Sequence, residues 1–86
     1  MSISISKAVL AQELKDETVL LDLDSENYFG LDSVGTRIWQ LLNEGKDETD
    51  MVDILLGEYE VEREVLEKDV SELLIRLNEA GLIKIA

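Results

Sequence analysis

The chain lacks cysteine and histidine altogether, and each absence removes a class of chemistry. Without cysteine there is neither a disulfide nor a thiolate metal site. Without histidine, the usual general base and the usual zinc ligand are also missing. We therefore expect no catalytic residue, no metal ion and no cofactor, and we do not expect the chain to be an enzyme.

Basic residues and long apolar runs are scarce as well. Eight lysines and arginines stand against 20 acidic residues, which gives a formal net charge of -12. Such a charge repels a nucleic-acid backbone and an anionic membrane surface, while it attracts a basic peptide or simply keeps a small domain in solution. No apolar run approaches the roughly 18 residues of a membrane span, and Met1-Ser2-Ile3 opens no signal segment. We expect a cytoplasmic protein with neither a nucleic-acid nor a membrane partner.

The first 31 residues are predicted to be extended. Ser2 to Ser6 alternates strictly between polar and apolar side chains, and Thr18 to Leu23 alternates so that its odd-numbered apolar residues share one side. Residues 8–14 lie between these segments. Polar clusters before Thr18 and after Leu23 interrupt the pattern as turns do, and a short run from Tyr28 to Leu31 follows. A three-stranded antiparallel meander is the simplest interpretation.

The remainder of the chain changes to a helical period. Three helical segments are predicted: Asp32 or Ser33 to Gly45, Asp47 to about Glu58, and about Glu62 to Gly81. The first two begin at capping candidates, and the first and third stop at a glycine. The third carries an apolar stripe of five residues: Leu66, Val70, Leu73, Leu74 and Leu77. A short tail strand, Leu82 to Ile85, is expected beside Ile3 to Ile5. The order predicts one α+β domain over residues 1–86, winged helix-turn-helix-like, with the N-terminal meander packed on three helices.

The segment Gly30-Leu31-Asp32-Ser33-Val34 has two interpretations. It resembles the serine triplet at the start of a helix where acyl and peptidyl carrier proteins attach phosphopantetheine, and Ser33 would then be the attachment site. Such carriers begin with a long amphipathic helix, however, where this chain alternates. As a helix cap, Asp32-Ser33 needs no prosthetic group, since either oxygen can accept an amide of the first turn. The carrier is kept as the alternative function.

Two other functions are disfavoured by the residues themselves. A winged-helix transcription factor would use residues 62–80 for recognition, but this segment holds three basic and six acidic residues, so DNA is repelled. The acidic run from Asp22 to Glu26 fails the calcium-loop pattern, because Asn27 stands where glycine is needed and Ser33 where a glutamate belongs.

Six short motifs occur in order over most of residues 8–83. They are Asn27-Tyr28-Phe29-Gly30-Leu31-Asp32, Gly35-Thr36-Arg37-Ile38-Trp39-Gln40-Leu41-Leu42, Tyr59-Glu60-Val61, Asp69-Val70, Leu73-Leu74-Ile75-Arg76-Leu77 and Gly81-Leu82-Ile83. With this spacing they resemble the PqqD-like family, the recognition elements of ribosomal-peptide modification that occur alone or fused to the modifying enzymes.

The resemblance implies a non-catalytic binder of the leader segment of a precursor peptide. The leader would add as a strand to the third strand, lie in a groove against the third helix, and be delivered to a separate modifying enzyme or leader protease. Family members standing alone serve either lasso-peptide biosynthesis, with a transglutaminase-like protease and a cyclase, or quinone-cofactor biosynthesis, with a radical enzyme. We favour the lasso type.

The resemblance also implies where the peptide-binding residues lie. An open strand edge offers unpaired amides and carbonyls, and side-chain pockets beside it select the sequence. Nine residues are candidates: Tyr28, Phe29, Gly30 and Leu31 on the edge, and Leu66, Asp69, Val70, Leu73 and Arg76 on the helix. Burial in the core is the competing interpretation for the apolar helix residues, solvation for the two charged ones, and a turn or bulge for Gly30.

Two further residues are expected to pack rather than to bind. Trp39 is the single tryptophan, and its place beside Ile38 on the first helix predicts a core or rim anchor. Gly35 in the first turn of that helix costs about 1 kcal/mol relative to alanine. We therefore expect it to lie in close contact with the sheet.

Overall fold

The computed structural model describes residues 2–86, and Met1, the first residue of the predicted domain, lies outside them. The helices and strands of this range are β1 Ile3–Ile5, β2 Val9–Leu14, β3 Glu17–Asp22, β4 Tyr28–Leu31, α1 Ser33–Asn43, α2 Glu48–Glu58, α3 Arg63–Glu79 and β5 Ile83–Ile85. The predicted α+β class, with a meander followed by three helices, is confirmed.

The strands form two antiparallel sheets. One has the order β2-β3-β4, and the other pairs β1 with β5, with Ile3 opposite Ile85 and Ile5 opposite Ile83. The first strand of the meander is therefore β2, while the alternating Ser2–Ser6 segment pairs with the tail strand, as expected. A two-residue turn joins β2 to β3, and its first residue, Lys15, has a φ of 58°. Positive φ is what so short a hairpin connection requires.

Four helix ends follow the capping pattern in the sequence. The Asp32 carboxylate accepts the Gly35 amide at the start of α1, so Asp32 rather than Ser33 is the cap, and Asp47 caps α2 in the same way. Both α1 and α3 end in a Schellman motif, with Gly45 and Gly81 at φ 82° and 77°. At the end of α1 the Gly45 amide bonds the Leu42 carbonyl and the following amide bonds that of Leu41, satisfying carbonyls the helix leaves free.

The core lies between the meander and the helices. Helix α1 packs on β3, β4 and β1, while α3 packs on α2 and β5. Trp39 is 2% exposed in this core, so the packing role expected for it is confirmed. Gly35 lies as close to the sheet as predicted, because a Cβ there would come within 3.2 Å of the Cβ of Leu31.

The core face of the sheet is the even-numbered side of β3. Leu20 is fully buried, and the buried Thr18 hydroxyl donates to the Thr36 hydroxyl of α1 over 2.8 Å. Val19 and Leu21 are half-buried on the opposite face. The odd-numbered side singled out by the alternation is therefore not the core side. The run from Val19 to Leu21 is apolar at every position, so alternation alone leaves the buried side undecided.

None of the helices in residues 2–86 is long and apolar enough to cross a membrane.

Candidate functional site

The edge of β4 is open in the described part of the chain. Strand β4 is the last strand of the meander, so only one of its two sides is paired, with β3. Tyr28 is 73% exposed and Gly30 is exposed, whereas Phe29 is half-buried and Leu31 is buried. All four predicted edge residues thus belong to one strand with a free side.

The backbone groups on this free side follow from the alternation of antiparallel hydrogen bonding. The Asp22 amide donates to the Asn27 carbonyl over 2.9 Å, so the Asn27 backbone points towards β3. Because alternate residues of a strand direct their N–H and C=O groups to the same side, Phe29 also faces β3. Tyr28 and Gly30 then direct theirs away from the sheet. These four groups bond no other segment of residues 2–86, and they can pair with an extended peptide.

A groove of about 430 Å³ runs beside this edge, between β4, the start of α1 and α3. From β4 and the start of α1 the lining residues are Gly30, Leu31, Asp32, Val34, Gly35 and Ile38. From α3 they are Asp69, Glu72, Leu73 and Arg76. A Cβ placed on Gly30 would meet no atom within 4 Å, so the face of the sheet is open at this position.

The groove is apolar at its base and charged at its rim. Leu31 and Ile38 are buried beneath it, and Leu73 is half-buried on the α3 side. The carboxylate of Asp69 and the guanidinium of Arg76 are exposed. Arg76 lies 5.1 Å from the centroid of the Phe29 ring, a cation–π distance that joins α3 to β4 at one end of the groove. An extended peptide in this groove would combine main-chain bonds on one side with apolar contacts beneath it.

The structure brings seven of the nine predicted site residues to this region and separates two from it. Gly30, Leu31, Asp69, Leu73 and Arg76 line the groove, Phe29 contacts Arg76, and Tyr28 lies on the same edge. Leu66 and Val70 instead lie in the core, 2% and 0% exposed, where no peptide can reach them. The expectation that Leu66 and Val70 line the groove is corrected. The apolar stripe of α3 is wide, so one part of it packs in the core while another part borders the groove.

Sequence reasoning missed five lining residues, Asp32, Val34, Gly35, Ile38 and Glu72. Glu72 had a usable signal, because it lies three residues after Asp69 and four before Arg76 and so shares their side of the helix. The α1 residues had no such signal, because the helical period alone assigns an apolar residue above the sheet to the core.

The opposite edge of the same sheet has different surroundings. On β2 the Glu13 carboxylate accepts the Gln40 amide over 3.3 Å, and Arg37 donates to the Gln40 side-chain oxygen. Arg37 also holds the Glu58 carboxylate with both Nε and Nη2, at distances of 2.9 to 3.1 Å. This hydrogen bonding lowers the pKa of Glu58 and raises that of Arg37. A polar chain therefore runs beside β2 where a groove runs beside β4.

Ser33 gains no support as an attachment site. It is an exposed residue in the first turn of α1, and the residue before it, Asp32, makes the capping bond. Four strands precede it in residues 2–86, where a carrier protein would begin with a long helix. Within the same range, no group of three or more acidic side chains is arranged to hold a metal ion.

Comparisons with known proteins agree with this geometry. A family model described as coenzyme PQQ synthesis protein D (PqqD) matches residues 17–83. Among solved structures, TbiB1 in complex with the TbiA(beta) leader peptide has a TM-score of 0.91 and 43% identity, covering 96% of each chain. Lasso peptide synthetase B1 complexed with the leader peptide has a TM-score of 0.90 and 29% identity, covering 99% of this chain and 100% of that one. No curated protein matches the chain.

Proposed function

Because the chain belongs to the PqqD family, we propose that it binds the leader segment of a ribosomally made precursor peptide and delivers it to a separate enzyme. The leader adds as a strand to the free edge of β4 and places alternate side chains in the groove against α3. The observation that carries this proposal is the open edge itself, with the outward backbone groups of Tyr28 and Gly30 directly beside a groove that has an apolar base.

The solved relatives support the same ligand class and favour one pathway. Both similar structures contain a leader peptide, and one of the proteins is lasso peptide synthetase B1. We therefore favour lasso-peptide biosynthesis for this chain over quinone-cofactor biosynthesis. The receiving partner is then a leader protease or another modifying enzyme, and the chain itself performs no chemical step.

Binding is tested first with the TbiA(beta) leader peptide, because its own receptor shares 43% identity with this chain. We expect a dissociation constant between about 10 nM and a few μM, or roughly -11 to -8 kcal/mol. Fluorescence anisotropy of a dye-labelled peptide measures it, with a scrambled peptide as control. If this peptide does not bind, a display selection from randomised 15-residue peptides follows. Failure of both at tens of micromolar contradicts the function.

Delivery is tested in the presence of the enzyme that consumes the precursor. Holding the leader raises the local concentration of the attached core peptide without adding chemistry. Omitting this protein should therefore raise the apparent KM for the precursor much more than it lowers kcat. An effect on kcat alone would argue for a catalytic contribution. The mass of a precursor incubated with this protein alone should stay unchanged.

A further inference from the structure

Four charged side chains line the groove, and two of them are already engaged. The Asp32 carboxylate accepts the Gly35 amide over 2.8 Å, and the Arg76 guanidinium lies over the ring of Phe29. Asp69 and Glu72 differ, because neither forms an ion pair or a side-chain hydrogen bond in the described part of the chain. Both are exposed at the groove rim.

These two carboxylates are placed to act together on one ligand side chain. Asp69 and Glu72 lie one helical turn apart, about 4.5 Å along the axis, and both line the groove. Leu73 follows Glu72 directly and presents its half-buried side chain to the same groove. An extended guest turns every second side chain towards α3, at intervals of roughly 6.8 Å. Leu73 lies about 6 Å along the axis from Asp69, which is close to this interval. One guest side chain can therefore meet the carboxylates while the next of the same parity meets Leu73.

We propose that the leader segment bound in this groove carries a lysine or arginine that pairs with Asp69 and Glu72, next to an apolar side chain that packs on Leu73. This proposal rests on the proposed function and specifies the ligand for the same site. It assigns Asp69 and Glu72 to specificity, whereas the edge of β4 bonds any extended backbone.

The net charge of the whole molecule also favours a basic ligand. The net charge of -12 attracts a basic segment over several ångströms before contact, and the unpaired carboxylates orient it at the groove. An acidic residue at the same position of the guest would be repelled by two like charges. Association should accordingly slow as the salt concentration rises.

The test is a parallel display selection with randomised 15-residue peptides. The baits are the wild type, the charge-reversed double variant Asp69→Lys/Glu72→Lys, and the control Glu60→Lys/Glu79→Lys. The control makes the same change in net charge at exposed positions outside the groove. A fourth bait, Gly30→Pro, removes an outward amide from the edge of β4 and reports whether the captured peptides use this site.

We expect the wild type and the control to enrich lysine or arginine at a fixed distance from an apolar residue, and the reversed variant to enrich aspartate or glutamate there. For a resynthesised peptide, Asp69→Asn and Glu72→Gln should each weaken binding by about two- to fivefold, the range of a partly exposed ion pair. Peptides that Gly30→Pro fails to capture use the edge of β4. If such peptides show no preference for lysine or arginine, or if this preference survives the charge reversal, the present proposal alone is overturned. Peptides captured equally by Gly30→Pro overturn the proposed function as well.

Discussion

The two end strands of the meander, β2 and β4, both leave one side unpaired in the described residues, and the groove described above lies beside β4. Strand β2 is the longer, with six residues against four. Beside β2 lies the polar chain of Glu13, Gln40, Arg37 and Glu58, and beside β4 lie α3 and a groove with an apolar base. Length therefore does not mark the edge that suits a guest strand.

We infer from the difference that an unpaired backbone alone does not make a docking site for a peptide. Main-chain bonds replace bonds to water and contribute little net free energy, about 0.5–1.5 kcal/mol each. An apolar surface alongside adds the burial that makes docking favourable. The exposed charge of Glu13 on β2 instead disfavours a neighbouring strand, since charged side chains are a known means of protecting an edge. Three variants separate these contributions.

The largest effect is expected for Leu73→Glu, which puts a carboxylate on the apolar side of the groove. Leu73 is half-buried at the groove mouth, so the new charge reaches water in the free protein and loses it beneath a bound peptide. We expect affinity to fall by about a hundredfold, because an unpaired charge is costly to bury. Titration with the labelled peptide measures it.

The control for this variant is Ile75→Glu, on the same helix but outside the groove and 51% exposed. It should bind like the wild type. Leu73→Ala, which adds no charge, should lose roughly tenfold and keeps the test informative if Leu73→Glu unfolds. Equal loss in Leu73→Glu and Ile75→Glu would remove the groove from the binding site.

A smaller effect is expected for Gly30→Pro, compared with Ala11→Pro on the opposite edge. The pairing of β2 with β3 directs the Ala11 amide outwards, as the Gly30 amide is directed outwards from β4. Proline is tolerated where the missing amide faces solvent, so both variants should fold. Gly30→Pro should weaken binding about tenfold through one lost bond and the bulk of the ring, while Ala11→Pro should leave it unchanged. Circular dichroism checks the folds, and a loss for Ala11→Pro would identify β2 as the binding edge.

The smallest effect concerns the polar chain beside β2. Hydrogen bonding to Arg37 lowers the pKa of Glu58, so this pair stabilises the fold above the ordinary glutamate pKa and loses that contribution as pH falls through the lowered value. Glu58→Gln should cost about 0.5 kcal/mol near neutral pH, since the pair is partly exposed. The difference from the wild type should vanish in acid.

Urea unfolding between pH 7 and pH 3 measures this difference, with the exposed Glu60→Gln as the control for charge removal. Peptide affinity should stay the same in Glu58→Gln, because neither Arg37 nor Glu58 lines the groove. If the free energy of unfolding of Glu58→Gln stays equally far below that of the wild type in acid, the assigned ion pair is contradicted.

Most of the fold could be predicted from local signals in the sequence. The helix bounds were predicted to within about two residues because Asp32, Asp47, Gly45 and Gly81 act through their own side chains or backbone freedom. The pairing of β1 with β5 was also predicted, although these strands lie at opposite ends of the chain. Both segments are short and apolar, so neither is stable as an isolated strand, and each can pair with the other.

The candidate site could be predicted only in part, for a reason visible on α3. Periodicity gives the angle of each residue around the helix but not what lies above that angle. Val70 and Leu73 occupy one broad apolar stripe, and only the tertiary packing around α3 decides that Val70 is buried while Leu73 remains accessible. The same limit hid Ile38, which belongs to the core and to the base of the groove at once.

The burial of Trp39 gives the molecule a convenient optical property. It is the single tryptophan, its ring is enclosed, and it is not among the residues that line the groove. Its emission should therefore shift to longer wavelength when the chain unfolds and stay nearly constant when a peptide docks. In one sample, indole fluorescence can thus report whether the chain is folded, and a dye on the peptide can report whether the groove is occupied. A misfolded variant is then not mistaken for a folded variant that has lost peptide binding.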